Sequence, residues 1–182
     1  NFEDCCTCIR RFGHGTTIGL NALLTGRAAR TAVLTTRGFA DTLTIGRLRR
    51  QSAGMNEAEY TDAFLRNRLP PLVPRSLIFE IDERVDANGR VVIPLDLAQA
   101  EQAIGAALDS GADAVAVCLL WSTQNAAHEL ALGKLVRERS PATFVCLSHE
   151  ISPAVGEYAR MSTTARNERP ISRWISWVRP LC

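Results

Sequence analysis

Apolar and polar positions alternate between two periods along most of this chain. Residues 1–11 show neither a helix nor a strand period and read as loop. Ile18, Leu20, Leu23 and Leu24 then fall near helical spacing, with Thr16 or Thr17 as the cap and Gly26 as the stop. Thr31 to Thr36 is a short strand, and Gly38 opens a further helical stretch through Arg47. Residues 48–75 are polar, with Pro70, Pro71 and Pro74 at the end, and predict a surface excursion with a short helix over 57–66. Leu77 to Val85 alternates, as does Arg90 to Ile93, and Asp86-Ala-Asn-Gly89 between them is a tight-turn signal, so a β-hairpin is predicted. Asp96 caps a helix carrying Ala100, Ala103, Ile104, Ala107 and Leu108, which ends at Gly111.

Ala114 to Trp121 is a continuous apolar run, the pattern of a strand covered on both faces. Asn125 caps a helix through Arg139, and Thr143 to Leu147 is the next buried strand. Helix, strand, helix, strand over 96–147 predicts a parallel α/β layer with flanking helices. Ile171, Trp174, Ile175 and Val178 follow Pro170 at helical spacing, and two of the three tryptophans lie in this tail.

Composition narrows the class. With 46% apolar and 22% charged residues over 182 positions, the chain is neither disordered nor starved of core. No apolar run approaches the roughly 18 residues of a membrane-spanning helix. A net charge of +2 gives no field for nucleic acid or anionic lipid. Lys134 is the one lysine among 21 basic residues, a skew that GC-rich coding DNA explains more simply than an arginine-based surface. Cys5, Cys6 and Cys8 crowd the start, Cys118 and Cys146 lie in apolar strands, and Cys182 is last, which is no disulfide framework. A reducing cytoplasm is the expected home, with neither membrane nor nucleic acid as partner.

Three constellations offer chemistry. Gly13-His14-Gly15-Thr16-Thr17, followed on the same helix face by Asn21, sets small residues and hydroxyls at a helix start, which suits a phosphate or carboxylate. An ordinary threonine cap beside a loop histidine accounts for the same residues. Ser148-His149-Glu150 follows a buried strand, where ligands of open α/β sheets gather, so His149 with Glu150 is a candidate acid–base pair. A turn whose histidine bonds a local carbonyl is the simpler alternative. Arg160, with Ser162, Thr163 and Thr164, has the groups to hold an anion, although capping explains the hydroxyls equally well. Arg47, Arg49 and Arg50 form a basic cluster able to steer an anionic substrate or simply to be solvated. The cysteines near the start lack a second ligand pair, so no metal site is expected there. GxxxxGK[ST], GxGxxG and HExxH are all missing, and no catalytic residue is singled out.

Longer strings carry more than spacing does. His14 to Leu24, Ala29 to Phe39, Ile45-Gly-Arg47, Pro71 to Arg75, the Glu80 to Gly89 hairpin with Glu83-Arg-Val-Asp86, Ala114 to Leu120, Asn125-Ala-Ala-His-Glu129, Leu147 to Glu150 and Glu157 to Thr164 occur in this order. Together they resemble the N-terminal region of the hydantoinase A/oxoprolinase family over roughly residues 12–167. The resemblance implies part of an actin-like ATPase (ribonuclease H-like) domain and, in the complete protein, an ATP- and Mg2+-dependent enzyme. Such enzymes hydrolyse cyclic amides such as hydantoins and 5-oxoproline; the alternatives are a subunit of an acetone- or acetophenone-type carboxylase, or a non-catalytic α/β binding module or remnant. It also implies a second, hydantoinase-B-type subunit or domain as partner.

His14, Gly15, Thr16, Thr17 and Asn21 are the leading candidates for the nucleotide- or substrate-binding wall, with Arg47, Arg50, His149 and Arg160 behind them. The family's glycine-rich phosphate loop, Asp-x-Gly-Gly-Thr-x-Thr-Asp, does not occur in this chain, and residues 1–11 and 168–182 depart from the family pattern. A fragment that is inactive on its own is therefore expected.

Overall fold

The computed structural model describes residues 30–45, 56–57 and 71–166. The helices predicted from Thr16 and after Pro170, and nearly all of the one over 57–66, lie outside these residues.

Among the described residues, β1 (Thr31–Thr36), β2 (Ile78–Ile81), β5 (Ala114–Cys118) and β6 (Phe144–Leu147) form one parallel sheet in the order β2-β1-β5-β6. A separate antiparallel pair, β3 (Arg84–Val85) and β4 (Val91–Ile93), makes a short hairpin. The helices are α1 (Thr42–Ile45), α2 (Leu97–Asp109), α3 (Ala127–Arg139), α4 (Ser148–Ile151) and α5 (Glu157–Arg166).

Alternate residues of each strand point to opposite faces, and both faces are covered. Ala32, Leu34, Val115, Val117 and Leu147 pack against Ala100, Ile104 and Ala107 of α2 and Leu132 and Val136 of α3. Val33, Ala116 and Cys118 face the other way, onto Leu43 of α1 and Met161 and Ala165 of α5. All residues of β1 and β5 are buried, which explains the unbroken apolar run of β5 and the absence of charge from β1.

This arrangement has a directional consequence. The chain leaving β1 passes to the α1 face, whereas the chain leaving β5 passes to the α3 face. The sheet therefore has a topological switch point between the carboxyl ends of β1 and β5, where open α/β sheets form a crevice.

The expected parallel layer is present, with differences at the ends of its elements. The predicted hairpin is only half a hairpin. Ile78–Ile81 pairs parallel with β1, and only Arg84–Val85 pairs with β4. Period-two alternation is the same for a hairpin arm and for a parallel edge strand, so the pattern did not separate them. The break falls at Asp82, whose amide donates to Gln99 Oε1 (3.1 Å) while Gln99 Nε2 donates to Glu80 O (2.8 Å). The turn itself is as predicted: Asp86 Oδ1 accepts the amides of Asn88 and Arg90, both at 2.8 Å. Gly89 has φ +77°, and a Cβ there would lie 3.2 Å from Gln124 O.

Gly38 lies in a turn, its amide donating to Glu80 Oε1 at 2.8 Å, and the helix starts later, at Thr42. Asp96 caps α2 as expected, accepting Gln99 N at 3.0 Å. The N-cap of α3 is Ala126 and not Asn125, but Asn125 Oδ1 accepts Ala127 N (3.1 Å) and its Nδ2 donates to Gly89 O (2.9 Å), so one side chain ties the helix start to the hairpin.

Helix α3 lies close on β6. A Cβ built on Gly133 would meet Leu147 Cδ2 at 2.9 Å, inside a fully buried contact. Gly133→Ala gains about 1 kcal/mol of helix propensity and incurs about 1–3 kcal/mol of overpacking. We expect net destabilisation, read as a lower urea midpoint at unchanged slope; a rise in the midpoint would refute the contact.

Candidate functional site

β5 stops at Cys118 although its apolar run continues to Trp121, because the next two amides are taken by side chains. Leu119 N donates to Glu129 Oε1 (2.9 Å), and Leu120 N donates to Thr36 Oγ1 (2.9 Å). Each acceptor belongs to a buried polar network at the carboxyl edge of the sheet.

The first network centres on Glu129, in the opening turn of α3, whose side chain has no solvent exposure. Oε1 also accepts the Ser148 hydroxyl (2.6 Å), and Oε2 accepts His149 N (3.1 Å) and His149 Nδ1 (2.7 Å). Four hydrogen bonds thus converge on the Glu129 carboxylate. Ser148 in turn accepts Arg160 Nε (3.0 Å) and the Ser122 hydroxyl (3.1 Å). Arg160 is enclosed as well, and it donates from Nη2 to Leu119 O (2.7 Å). Buried charge is thus compensated by hydrogen bonds and by an enclosed cation, as its desolvation requires.

The second network centres on Glu83, just beyond β2. It accepts the Thr36 hydroxyl on Oε1 and His128 Nδ1 on Oε2 (2.8 Å). His128 and Glu129 are neighbours in sequence, so one turn of helix feeds both networks.

Because each carboxylate takes the Nδ1–H of its histidine, each ring is held with Nε2 as its other nitrogen. Neither Nε2 has a hydrogen-bond partner among the described residues. The carboxylates are fully enclosed, whereas the His128 and His149 side chains are 12% and 18% exposed. A buried orienting carboxylate with a histidine reaching outward is the arrangement of a general acid–base pair.

Of the predicted site residues, His149 and Arg160 fall in one network. His149 pairs with Glu129 across the structure; its sequence neighbour Glu150 is exposed. Ser148–Ile151 forms a short helical turn in place of the expected loop turn, and the histidine bonds a carboxylate rather than a local carbonyl. Arg160 donates to Ser148, to the Leu119 carbonyl and to the Ala154 carbonyl. His14, Gly15, Thr16, Thr17, Asn21, Arg47 and Arg50 lie outside the described residues.

Sequence reasoning passed over Glu83, Glu129 and His128. A signal for two of them existed. Glu83 shares the inward parity of Leu77, Ile81 and Val85, and Glu129 lies on the buried stripe of Leu132, Gly133 and Val136. A carboxylate on an apolar face is the anomaly to look for.

Cys118 lies beneath the first network. Burial raises its thiol pKa from 9.0 to about 11, with Glu129 adding to the rise; the Arg160 charge and bonds to Ser148 and Arg160 partly offset it. The thiol is therefore held protonated and unreactive near neutral pH. Cys118 and Cys146 are both free and buried, as small hydrophobes in strands.

Among the described residues, no group of three His, Cys, Asp or Glu side chains is placed to hold a metal ion. The oxygens of Glu83 and Glu129 are engaged by protein donors. These residues do not by themselves fit an Mg2+–nucleotide site. Nor is any described helix long and apolar enough to cross a membrane.

A family model for the hydantoinase/oxoprolinase N-terminal region matches residues 3–140. The chain belongs to this family. It is 36% identical over 155 residues to the acetophenone carboxylase gamma subunit of Aromatoleum aromaticum, covering 82% of this chain and 21% of that protein. It is 35% identical over 164 residues to caprolactamase subunit alpha of Pseudomonas jessenii, covering 90% and 22%. The solved ATP-dependent caprolactamase from the same organism superposes with a TM-score of 0.71 at 34% identity, over 90% of this chain and 23% of that one. Nucleotide-free acetone carboxylase gives 0.73 at 27% identity, over 82% and 22%. The chain thus spans about a fifth of the length of the curated relatives it matches.

Two outcomes test the network. Glu129→Gln replaces an acceptor of four bonds with a group that is half donor, and we expect a loss of about 3 kcal/mol in chemical unfolding; a loss below 1 kcal/mol would remove Glu129 from its central place. For Cys118, the folded state holds the thiol proton more tightly than the unfolded chain. The stability this gives is present below pH 9 and is lost as pH rises through about 11. Cys118→Ser should flatten the alkaline fall in stability between those limits; an unchanged fall would contradict the thiol's burial.

Proposed function

We propose that this chain is part of an ATP-dependent enzyme that opens cyclic amides, with the carboxyl edge of its sheet forming one wall of the active site. The observation that carries this reading is the match to caprolactamase subunit alpha along 90% of the chain. The parallel sheet with helices on both faces is compatible with part of an actin-like nucleotide-binding fold. At neutral pH an amide carbonyl is a poor electrophile, and coupling to ATP supplies the driving force that ring opening lacks. The described residues do not by themselves fit a nucleotide site.

On this reading, His149 faces the substrate side of the wall with its ring fixed by Glu129, and Arg160 holds Ser148 and the Leu119 carbonyl behind it. His14, Gly15, Thr16, Thr17 and Asn21 form the anion-binding part, with Arg47 and Arg50 steering charged ligands toward it. A hydantoinase-B-type subunit or domain completes the enzyme, which works in the cytoplasm. The alternative is the ATP-dependent carboxylation of a ketone, favoured by the 36% identity to the acetophenone carboxylase gamma subunit.

The test uses the complete gene product with its partner subunit. We expect phosphate release that depends on a lactam, hydantoin or 5-oxoproline, with the ring-opened acid as product. Release that depends instead on a ketone with bicarbonate would establish the alternative. Thr16→Ala should lower turnover about a hundredfold, the scale of removing one donor to developing charge; unchanged turnover would overturn the anion-binding assignment.

A further inference from the structure

The Glu83–His128 pair stands at the most telling place in the fold and has no role in the reading above. Its parts come from three segments of the chain. Thr36 ends β1, Glu83 follows β2, and His128 lies in the first turn of α3 after β5. They gather between the carboxyl ends of β1 and β5, where the chain departs to opposite faces of the sheet.

The chemistry of the pair is more specific than a structural tie needs. The Glu83 side chain has no exposure, and the His128 ring is 12% exposed. Thr36 donates its hydroxyl to Glu83 and accepts Leu120 N at 2.9 Å, which fixes the direction of that hydroxyl. Holding the hairpin to α3 would need only a neutral hydrogen bond, and the Asn125 bond to Gly89 O already supplies one. An enclosed carboxylate that orients a partly exposed imidazole costs desolvation that such a tie avoids.

We propose that His128 is a second proton-transfer residue of the site, with Glu83 and Thr36 as its positioning residues. This deepens the cyclic-amide reading and rests on it. As water attacks the amide carbon, a C–O bond forms, the carbonyl π pair moves onto its oxygen, and one water proton passes to His128 Nε2; the carbonyl re-forms when the C–N bond breaks. As the C–N bond breaks, Nε2 returns that proton to the departing nitrogen, so the ring ends the cycle as it began. Glu83 keeps Nδ1–H engaged throughout and stabilises the imidazolium while it lasts.

The decisive variant is His128→Asn in the complete enzyme. Its side-chain NH2 replaces the Nδ1–H donor to Glu83 and leaves nothing in place of Nε2. We expect an unchanged melting temperature, an unchanged KM, and kcat lowered by about 10²–10⁴-fold with one limb of the pH–rate profile lost. Glu83→Asp should recover more activity than Glu83→Gln, since only a carboxylate can balance the imidazolium. A His128→Asn enzyme with kcat within about twofold of wild type, or one that merely melts early, would overturn the proposal.

Absence of lactam-dependent turnover in the wild-type enzyme would instead sink the cyclic-amide reading. The ring is then read directly by imidazole 15N NMR of the protein. A neutral ring protonated on Nδ1, with bare Nε2 accessible to diethyl pyrocarbonate, supports the pair as a proton-transfer device. A ring protonated on Nε2, or one closed to the reagent, refutes it.

Discussion

Two consecutive backbone amides decide what this sheet becomes at its carboxyl edge. Leu119 and Leu120 leave the ladder at the end of β5, and a buried amide without an acceptor is costly. Glu129 takes one and Thr36 takes the other. Those two acceptors then impose their own demands. Glu129 requires enough donors to be tolerated as an enclosed anion, which brings in Ser148, His149 and, through Ser148, the Arg160 guanidinium. Thr36 donates its hydroxyl to Glu83 in a hydrogen bond, and Glu83 engages His128. The polar edge is thus a chain of obligations that starts from where β5 stops pairing.

The same constraint explains why the helices sit as they do. Helix α3 has to present His128 and Glu129 in its first turn, and it also packs Leu132 and Val136 onto the sheet. Gly133 allows the close approach to Leu147 that makes both possible. The loop before α3 is correspondingly tight. Trp121 takes a positive φ of 55°, alone among the described non-glycine residues, and its carbonyl accepts the amides of Gln124 and Asn125. Strain of this kind persists where surrounding contacts overdetermine the backbone.

Much of this was legible beforehand, for identifiable reasons. Continuous apolar runs mark β5 and β6 because both faces of the sheet are covered, and Asp96 marks the start of α2 because an aspartate at that position has one obvious task. Asp86 and Gly89 were readable for the same reason of local chemistry. What failed was anything that depended on a distant partner. Ile78–Ile81 alternates like a hairpin arm, and only its pairing with β1 reveals an edge strand. His149 was noticed as a histidine after a strand, but its carboxylate lies on another helix, which no local pattern specifies. Glu83 and Glu129 were visible only as charges on otherwise apolar faces. Periodicity reports where a face is buried; it does not report what a buried charge is bonded to.

Arg160 carries an implication for how the protein is made. It supplies Nη2 to the carbonyl of Leu119, 41 residues earlier in the chain, and Nε to Ser148. A ribosome that has released every described strand of the sheet has still not delivered this guanidinium. Until α5 emerges and docks, the nascent sheet holds an enclosed carboxylate without its nearby cation and a carbonyl without its donor. Helix α5 therefore acts as a latch on the described sheet: its strands are made first, and their polar edge closes when α5 docks.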